Sequence, residues 1–189
     1  MKIAILSGST RKGSYNFALA RVVERLLLEM GQEPDLIEPE AYKYLPLYDA
    51  EIEAEGLPED LLALARRFSE AGALIFVSPE YNASLTPLLK NTIDWLSRAR
   101  NRVGAPIFEK KVAGLLSASP GGLGGMRGLN HLRDILGNLN MLIPSQQYSM
   151  RSAHEIIEGK PSPTDQVAEL RSGVEPVLKA VVEIATKLG

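Results

Sequence analysis

The stretch MKIAILSGSTRKGSYN, residues 1–16, decides the fold. Ile3 to Leu6 is a short, continuous apolar run bounded by a Ser-Gly turn, the pattern of a strand buried on both faces of a parallel sheet. A polar loop follows it. From about Ser14 to Met30 the residues Leu19, Val22, Val23, Leu26 and Met30 recur at helical spacing, with Arg21, Glu24, Arg25 and Glu29 on the other side, and Gly31 closes the helix. Strand, polar loop and helix in that order build an anion site, because the first N–H groups of a helix lack partners and carry a partial positive charge. The loop adds the hydroxyls of Ser7, Ser9, Thr10 and Ser14, the amide of Asn16 and the cations Arg11 and Lys12.

The alternation continues along the chain. Asp35 to Ile37 reads as a weaker second strand, leading into a long connection from about Glu38 to Leu57 in which Tyr42, Tyr44 and Tyr48 lie close together. A helix is expected from about Pro58 to Gly72, with Glu59 and Asp60 in its first turn. Ala73 to Val77 is the clearest central strand, and it breaks at Ser78-Pro79, where proline cannot donate to a ladder. After a loop over 78–85, Thr86 caps and Pro87 opens a helix carrying Leu88, Leu89, Ile93, Trp95 and Leu96. A charged link over 97–110 precedes a fourth strand, Lys111 to Leu116. That strand ends in SASPGGLGGMRG, residues 117–128, where Gly121, Gly122, Gly124 and Gly125 let the backbone approach a flat ligand. Met126 to Leu139 reads as a helix, Met141 to Ile143 as the start of a fifth strand, and Ser152 to Thr164 as a polar loop. The last helix runs from about Asp165 to Leu188, kinked or divided at Gly173 and Pro176.

Composition sets the limits. With 189 residues, 45% apolar and 23% charged, the chain reads as one globular domain over residues 1–189. No stretch nears the roughly 18 apolar residues of a membrane span. The first strand follows Met1-Lys2 directly, with no leader segment, so a cytoplasmic protein without membrane contact is expected. The lack of cysteine excludes disulfides, a thiolate nucleophile and Cys-ligated metals. A net charge of −2 with interspersed signs lacks the basic footprint of a nucleic-acid binder.

Several motif tests fail, and they narrow the ligand. Gly8 and Gly13 have the wrong spacing for a dinucleotide fingerprint, and after Gly122 and Gly124 the third glycine position is Arg127. Lys12-Gly13-Ser14 reverses the order a triphosphate loop needs. A mononucleotide phosphate is what remains. His131 and His154 show no ligand spacing and read as ordinary residues, and Ser9 lacks the surroundings of a nucleophile.

Five strands alternating with five helices imply a doubly wound α/β sheet, which binds ligands beyond the C-terminal ends of its strands. Three stretches carry a resemblance: Gly8 to Asn16, then Pro79-Glu80-Tyr81-Asn82 with Ser84, then Leu89 to Trp95. The run Ser117 to Gly122 agrees with them. Together they resemble the NADPH-dependent FMN reductase family, the flavodoxin-like group that includes chromate and quinone reductases and azoreductase-like enzymes. The likeness covers about three quarters of the chain, from residue 1 through the helix at 126–139. It implies a flavodoxin-like five-stranded parallel sheet in the order 2-1-3-4-5 with helices on both faces, which makes the loops after strands 1, 3 and 4 neighbours.

The resemblance further implies that Ser9, Arg11, Ser14, Tyr15 and Asn16 hold the FMN phosphate. Pro79, Glu80, Tyr81, Asn82 and Ser84 would line the ribityl chain and one ring edge, with Ser117, Ser119, Gly121 and Gly122 flanking the pyrimidine end. Lys90, Asp94 and Trp95 are assigned to helix packing and subunit contact, and Arg100, Arg102 and Arg127 are candidates for the phosphates of NADPH or NADH. No side chain need act as acid or base, since the flavin carries the hydride chemistry. The expected acceptor is a quinone, azo compound, metal oxyanion or free flavin, and the expected assembly a homodimer or tetramer. A flavodoxin-type electron carrier shares the fold but relies on an acidic docking face, which a mixed charge of −2 does not supply.

Overall fold

The computed structural model describes residues 1–159 and 163–188. Strands β1 (Lys2–Ser7), β2 (Glu33–Ile37), β3 (Ala73–Val77), β4 (Val112–Ala118) and β5 (Tyr148–Met150) form one parallel sheet in the order β2-β1-β3-β4-β5. The expected order holds. The helices are α1 (Tyr15–Glu29), α2 (Ala50–Glu55), α3 (Glu59–Glu70), α4 (Pro87–Arg98), α5 (Met126–Asn138), α6 (Ala153–Ile157) and α7 (Pro163–Leu188).

Successive side chains of the central strands point to opposite faces. Ile3, Ile5, Ala73, Ile75 and Val77 pack with α1 and α7, whereas Ala4, Leu6, Leu74 and Phe76 pack with α3, α4 and α5. Both faces are apolar, which is why β1 and β3 read as unbroken hydrophobic runs. Each fully buried aliphatic side chain here contributes about 1.5–3 kcal/mol.

The fifth strand lies further along than the residues suggested. Leu142 makes a single parallel bridge to Val112, through Ala113 N–H to Leu142 O and Leu142 N–H to Lys111 O, both 2.9 Å. Pro144 then has no N–H to offer, and the ladder resumes only at Tyr148. The Arg133 guanidinium holds the excursion, donating to Ile143 O at 3.1 Å and Pro144 O at 2.9 Å. The 38–57 connection contains α2, capped by Asp49, and the polar loop from Ser152 contains α6; residues 160–162 of that loop lie outside the described residues.

The last helix is not divided. It runs through Gly173 and Pro176 because Leu170, Val174, Val177, Leu178 and Val181 are buried against the sheet, and that burial outweighs the roughly 3 kcal/mol a helical proline costs. Gly173 serves close packing: a Cβ there would stand 2.1 Å from Tyr148 Cε2.

The 38–57 connection is strapped to α4. Trp95 Nε1 and Asn91 Nδ2 both donate to Pro46 O, at 2.7 and 2.8 Å, and Tyr48 meets the fully buried Trp95 edge-on at 5.1 Å.

Just before the N-terminal end of β4, opposite the polar loops, Lys111 is buried, and no carboxylate among the described residues pairs with it. Its Nζ donates to Phe68 O at 2.5 Å and Ser69 O at 2.9 Å, closing the C-terminal end of α3. Burial lowers this ammonium from 10.5 to about 8. Between those two values the unfolded chain holds the extra proton, so Lys111 makes stability rise with pH from about 8 to about 10.5, while below 8 its charge burdens the fold in full. Urea midpoints at pH 7.5 and 9.5 check this: the wild-type difference should exceed that of Lys111→Met in the stabilising direction.

Candidate FMN site

Three loops meet at the C-terminal ends of the strands. The loop after β1 is held from below by its neighbours: Tyr42 Oη donates to Ser7 O and Thr86 Oγ1 to Gly8 O, both 2.7 Å, and Thr86 Oγ1 also accepts from Leu89 N–H as the N-cap of α4. Gly8 N–H donates to Val77 O at 2.8 Å. The loop is therefore fixed to the start of α4 and the end of β3.

Ser14 is the N-cap of α1, its hydroxyl accepting from Phe17 N–H at 3.3 Å. Among the described residues no acceptor meets the N–H groups of Tyr15 and Asn16, and the first turn holds no acid. Free donors at a positive helix end whose own first turn holds no acid are suited to a dianionic phosphate. Arg11 adds a full charge; its guanidinium carbon lies 5.6 Å from the Tyr15 ring centroid, and no carboxylate among the described residues pairs with it. The Tyr15 hydroxyl donates to Glu158, just after α6, and that bond raises the phenol above its ordinary value.

Beside this cradle lies a cavity of about 190 Å³. Ser9, Arg11, Ser14, Tyr15 and Asn16 line one side, Pro79, Glu80 and Tyr81 the second, and Ser119 the third, joined by Ala118 and Pro120. The donors fit a flavin mononucleotide's phosphate, and the gap between the loops after β3 and β4 leads away from it.

Several expected residues have their polar groups committed within the fold or stand away from the cavity. Asn16 lines the cavity, but its amide is committed to the backbone of Ala118: Nδ2 donates to Ala118 O at 2.8 Å and Oδ1 accepts from Ala118 N–H at 2.9 Å. Ser117 is fully buried and donates to Gly124 O at 2.7 Å. Asn82 and Ser84 belong to a tight turn closed by Tyr81 N–H to Ser84 O and Ser84 N–H to Tyr81 O, at 2.9 and 3.0 Å. Gly121 and Gly122 meet nothing that would forbid a side chain. It is Gly124, at φ 63° and with its Cβ position 2.7 Å from Ser149 O, that must be glycine. Arg100 follows the C-terminal end of α4, as does Arg102, at the far edge of the sheet, where Arg100 pairs with Glu109 at 3.1 Å. Arg127 is at the site end and is paired with Glu80.

A parallel 2-1-3-4-5 sheet with an anion cradle at its first turn and a crevice between its third and fourth loops defines a flavodoxin-like mononucleotide-binding protein. The chain belongs to the NADPH-dependent FMN reductase family, which it matches over residues 1–155. It is 34% identical over 167 residues to a quinone reductase of Escherichia coli K12, covering 86% of this chain and 82% of that one. A quinone reductase of Pseudomonas putida is 35% identical over 182 residues, covering 96% and 90%. Among solved structures, the flavoenzyme NAD(P)H:(acceptor) oxidoreductase from Paracoccus denitrificans superposes with a TM-score of 0.68 at 26% identity, covering 93% of this chain and 98% of the other.

Proposed function

We propose that this chain is a single FMN-holding unit that takes two electrons from NADPH or NADH and passes them to a quinone in the cytoplasm. The observation that carries the reading is the cradle of Arg11 and the free N–H groups of Tyr15 and Asn16 beside the crevice. Bound there, FMN supplies the hydride exchange. The chain's own work is to hold the phosphate with Arg11, Ser9 and Ser14, to seat the ring against the backbone of Pro79 to Tyr81, and to leave one face open to the nicotinamide and then to the acceptor.

The rim beside the crevice favours a neutral, flat acceptor. Tyr81, Leu123 and Met126 are exposed there, and the charge of Arg127 is cancelled by Glu80. A metal oxyanion such as chromate finds no free cation among these rim residues, so quinones lead this reading over oxyanions. Anaerobic titration of the FMN-loaded protein with each nicotinamide, followed by a panel of acceptors, tests it. The flavin absorbance should bleach without a partner protein and return fastest with quinones; a flavin that neither nicotinamide reduces would leave an electron carrier.

A homodimer, with a tetramer as the next state, belongs to the same reading. Its support is the open groove of about 550 Å³ between α4 and α5, where Leu85, Pro87 and Ile135 are only partly covered.

A further inference from the structure

Helix α5 begins without a cap of its own. Gly125, at its N-cap, lies in the left-handed region at φ 92° and offers no side chain, and the first turn holds no acid. Met126 N–H donates to Leu123 O at 3.1 Å, and the next two N–H groups are met from the loop after β3. Glu80 Oε2 accepts from Arg127 N–H at 3.0 Å and Gly128 N–H at 3.2 Å, while Oε1 accepts from Arg127 Nε at 2.8 Å. The Glu80 side chain is 9% exposed. Burial works against its charge, but the guanidinium and the helix N–H groups outweigh it and hold the carboxyl below its ordinary value.

Two more contacts close the same seam. His131 Nδ1 lies 2.9 Å from Ser84 Oγ. Gly128 approaches the turn so closely that a Cβ would stand 3.0 Å from Ser84 O. The 81–84 turn is closed by two backbone bonds of its own, so it moves as a unit with whatever holds its ends.

We infer that Glu80 is a positioning residue: by gripping the N-terminus of α5 it sets the separation of the loops after β3 and β4, and with it the width of the slot that receives the flavin ring. Its carboxylate acts through α5, since both of its oxygens accept from Arg127 or Gly128. The inference rests on the FMN reading, and its test separates the two. Riboflavin has the ring but no phosphate, so a defect in the slot weakens both flavins by one factor, whereas a defect in the cradle weakens FMN alone.

Dissociation constants for FMN and riboflavin, from quenching of flavin fluorescence, are measured for wild type, Glu80→Gln and Arg127→Met, together with visible circular dichroism of the bound flavin. Glu80→Gln should weaken both ligands about tenfold and alter the dichroism. Arg127→Met keeps the carboxylate on the helix and should weaken both about threefold. Wild-type affinities in both variants would overturn the inference, as would a loss confined to FMN. If Glu80→Gln does not fold, Arg127→Met decides: an equal loss for both flavins supports the seam, and unchanged affinity removes it. A wild-type protein that binds neither flavin overturns the cofactor reading, and this inference with it.

Discussion

Replacing Asn16 with alanine is expected to cost the fold about 2–4 kcal/mol. Asn16 is 3% exposed, and its amide makes two bonds to the backbone of Ala118, 102 residues away in sequence. Those bonds join the first turn of α1 to the last residue of β4. Alanine leaves a buried N–H and a buried carbonyl without partners, and each such group costs about 1–3 kcal/mol. Asn16→Asp restores the acceptor but sets a carboxylate against the Ala118 carbonyl, so it should rescue only part of the loss. The check is a urea midpoint that falls while the slope stays constant. A midpoint within error of wild type would mean that the two bonds are not held in solution.

The second large effect is on the ligand and not on the fold. Arg11→Ala should weaken FMN by about 10- to 100-fold and leave riboflavin where it was, because a charge-assisted bond to a phosphate contributes about 1.5–3 kcal/mol. Arg11 is exposed, and its described contacts are with the Tyr15 ring and through its own backbone, so the variant should melt within a degree or two of wild type. Raising the salt should narrow the gap between wild type and variant, since screening weakens the contact only where the charge is present. An unchanged FMN affinity would put the phosphate elsewhere than at the start of α1.

The sequence is most informative where burial is complete. β1 and β3 are directly legible because both of their faces are covered, so Ile3 to Leu6 and Ala73 to Val77 are wholly apolar and the runs end at Ser-Gly and Ser-Pro. The cradle was legible for a related reason: the N-terminus of a helix directs its donors without help from side chains. β5 was misplaced because Met141 to Ile143 has the composition of a strand, and the effect of Pro144 on the ladder depends on which neighbour lies beside it. Among the site residues the limit is direction. Ser117 and Ser119 are two residues apart, yet Ser117 is still within β4 and buried under Gly124, while Ser119 is past the end of the strand and lines the cavity, a boundary that composition does not record. Nothing in the spelling of Pro79-Glu80-Tyr81 says that the carboxylate turns away to cap a helix 46 residues later, since the missing cap on α5 is visible only once Gly125 is seen at positive φ.

Trp95 is the chain's one tryptophan, and it is fully buried with its indole N–H on Pro46 and its ring against Tyr48. Its emission is therefore a single, unmixed optical signal from the place where α4 grips the 38–57 connection. Because α4 starts at the loop that seats the ring, a yellow cofactor in the crevice would lie within the range of energy transfer from that indole. The protein carries its own lamp: loading with flavin would dim it, and loosening of the strap would shift it to the red, so occupancy and local opening can be followed separately in one unlabelled sample.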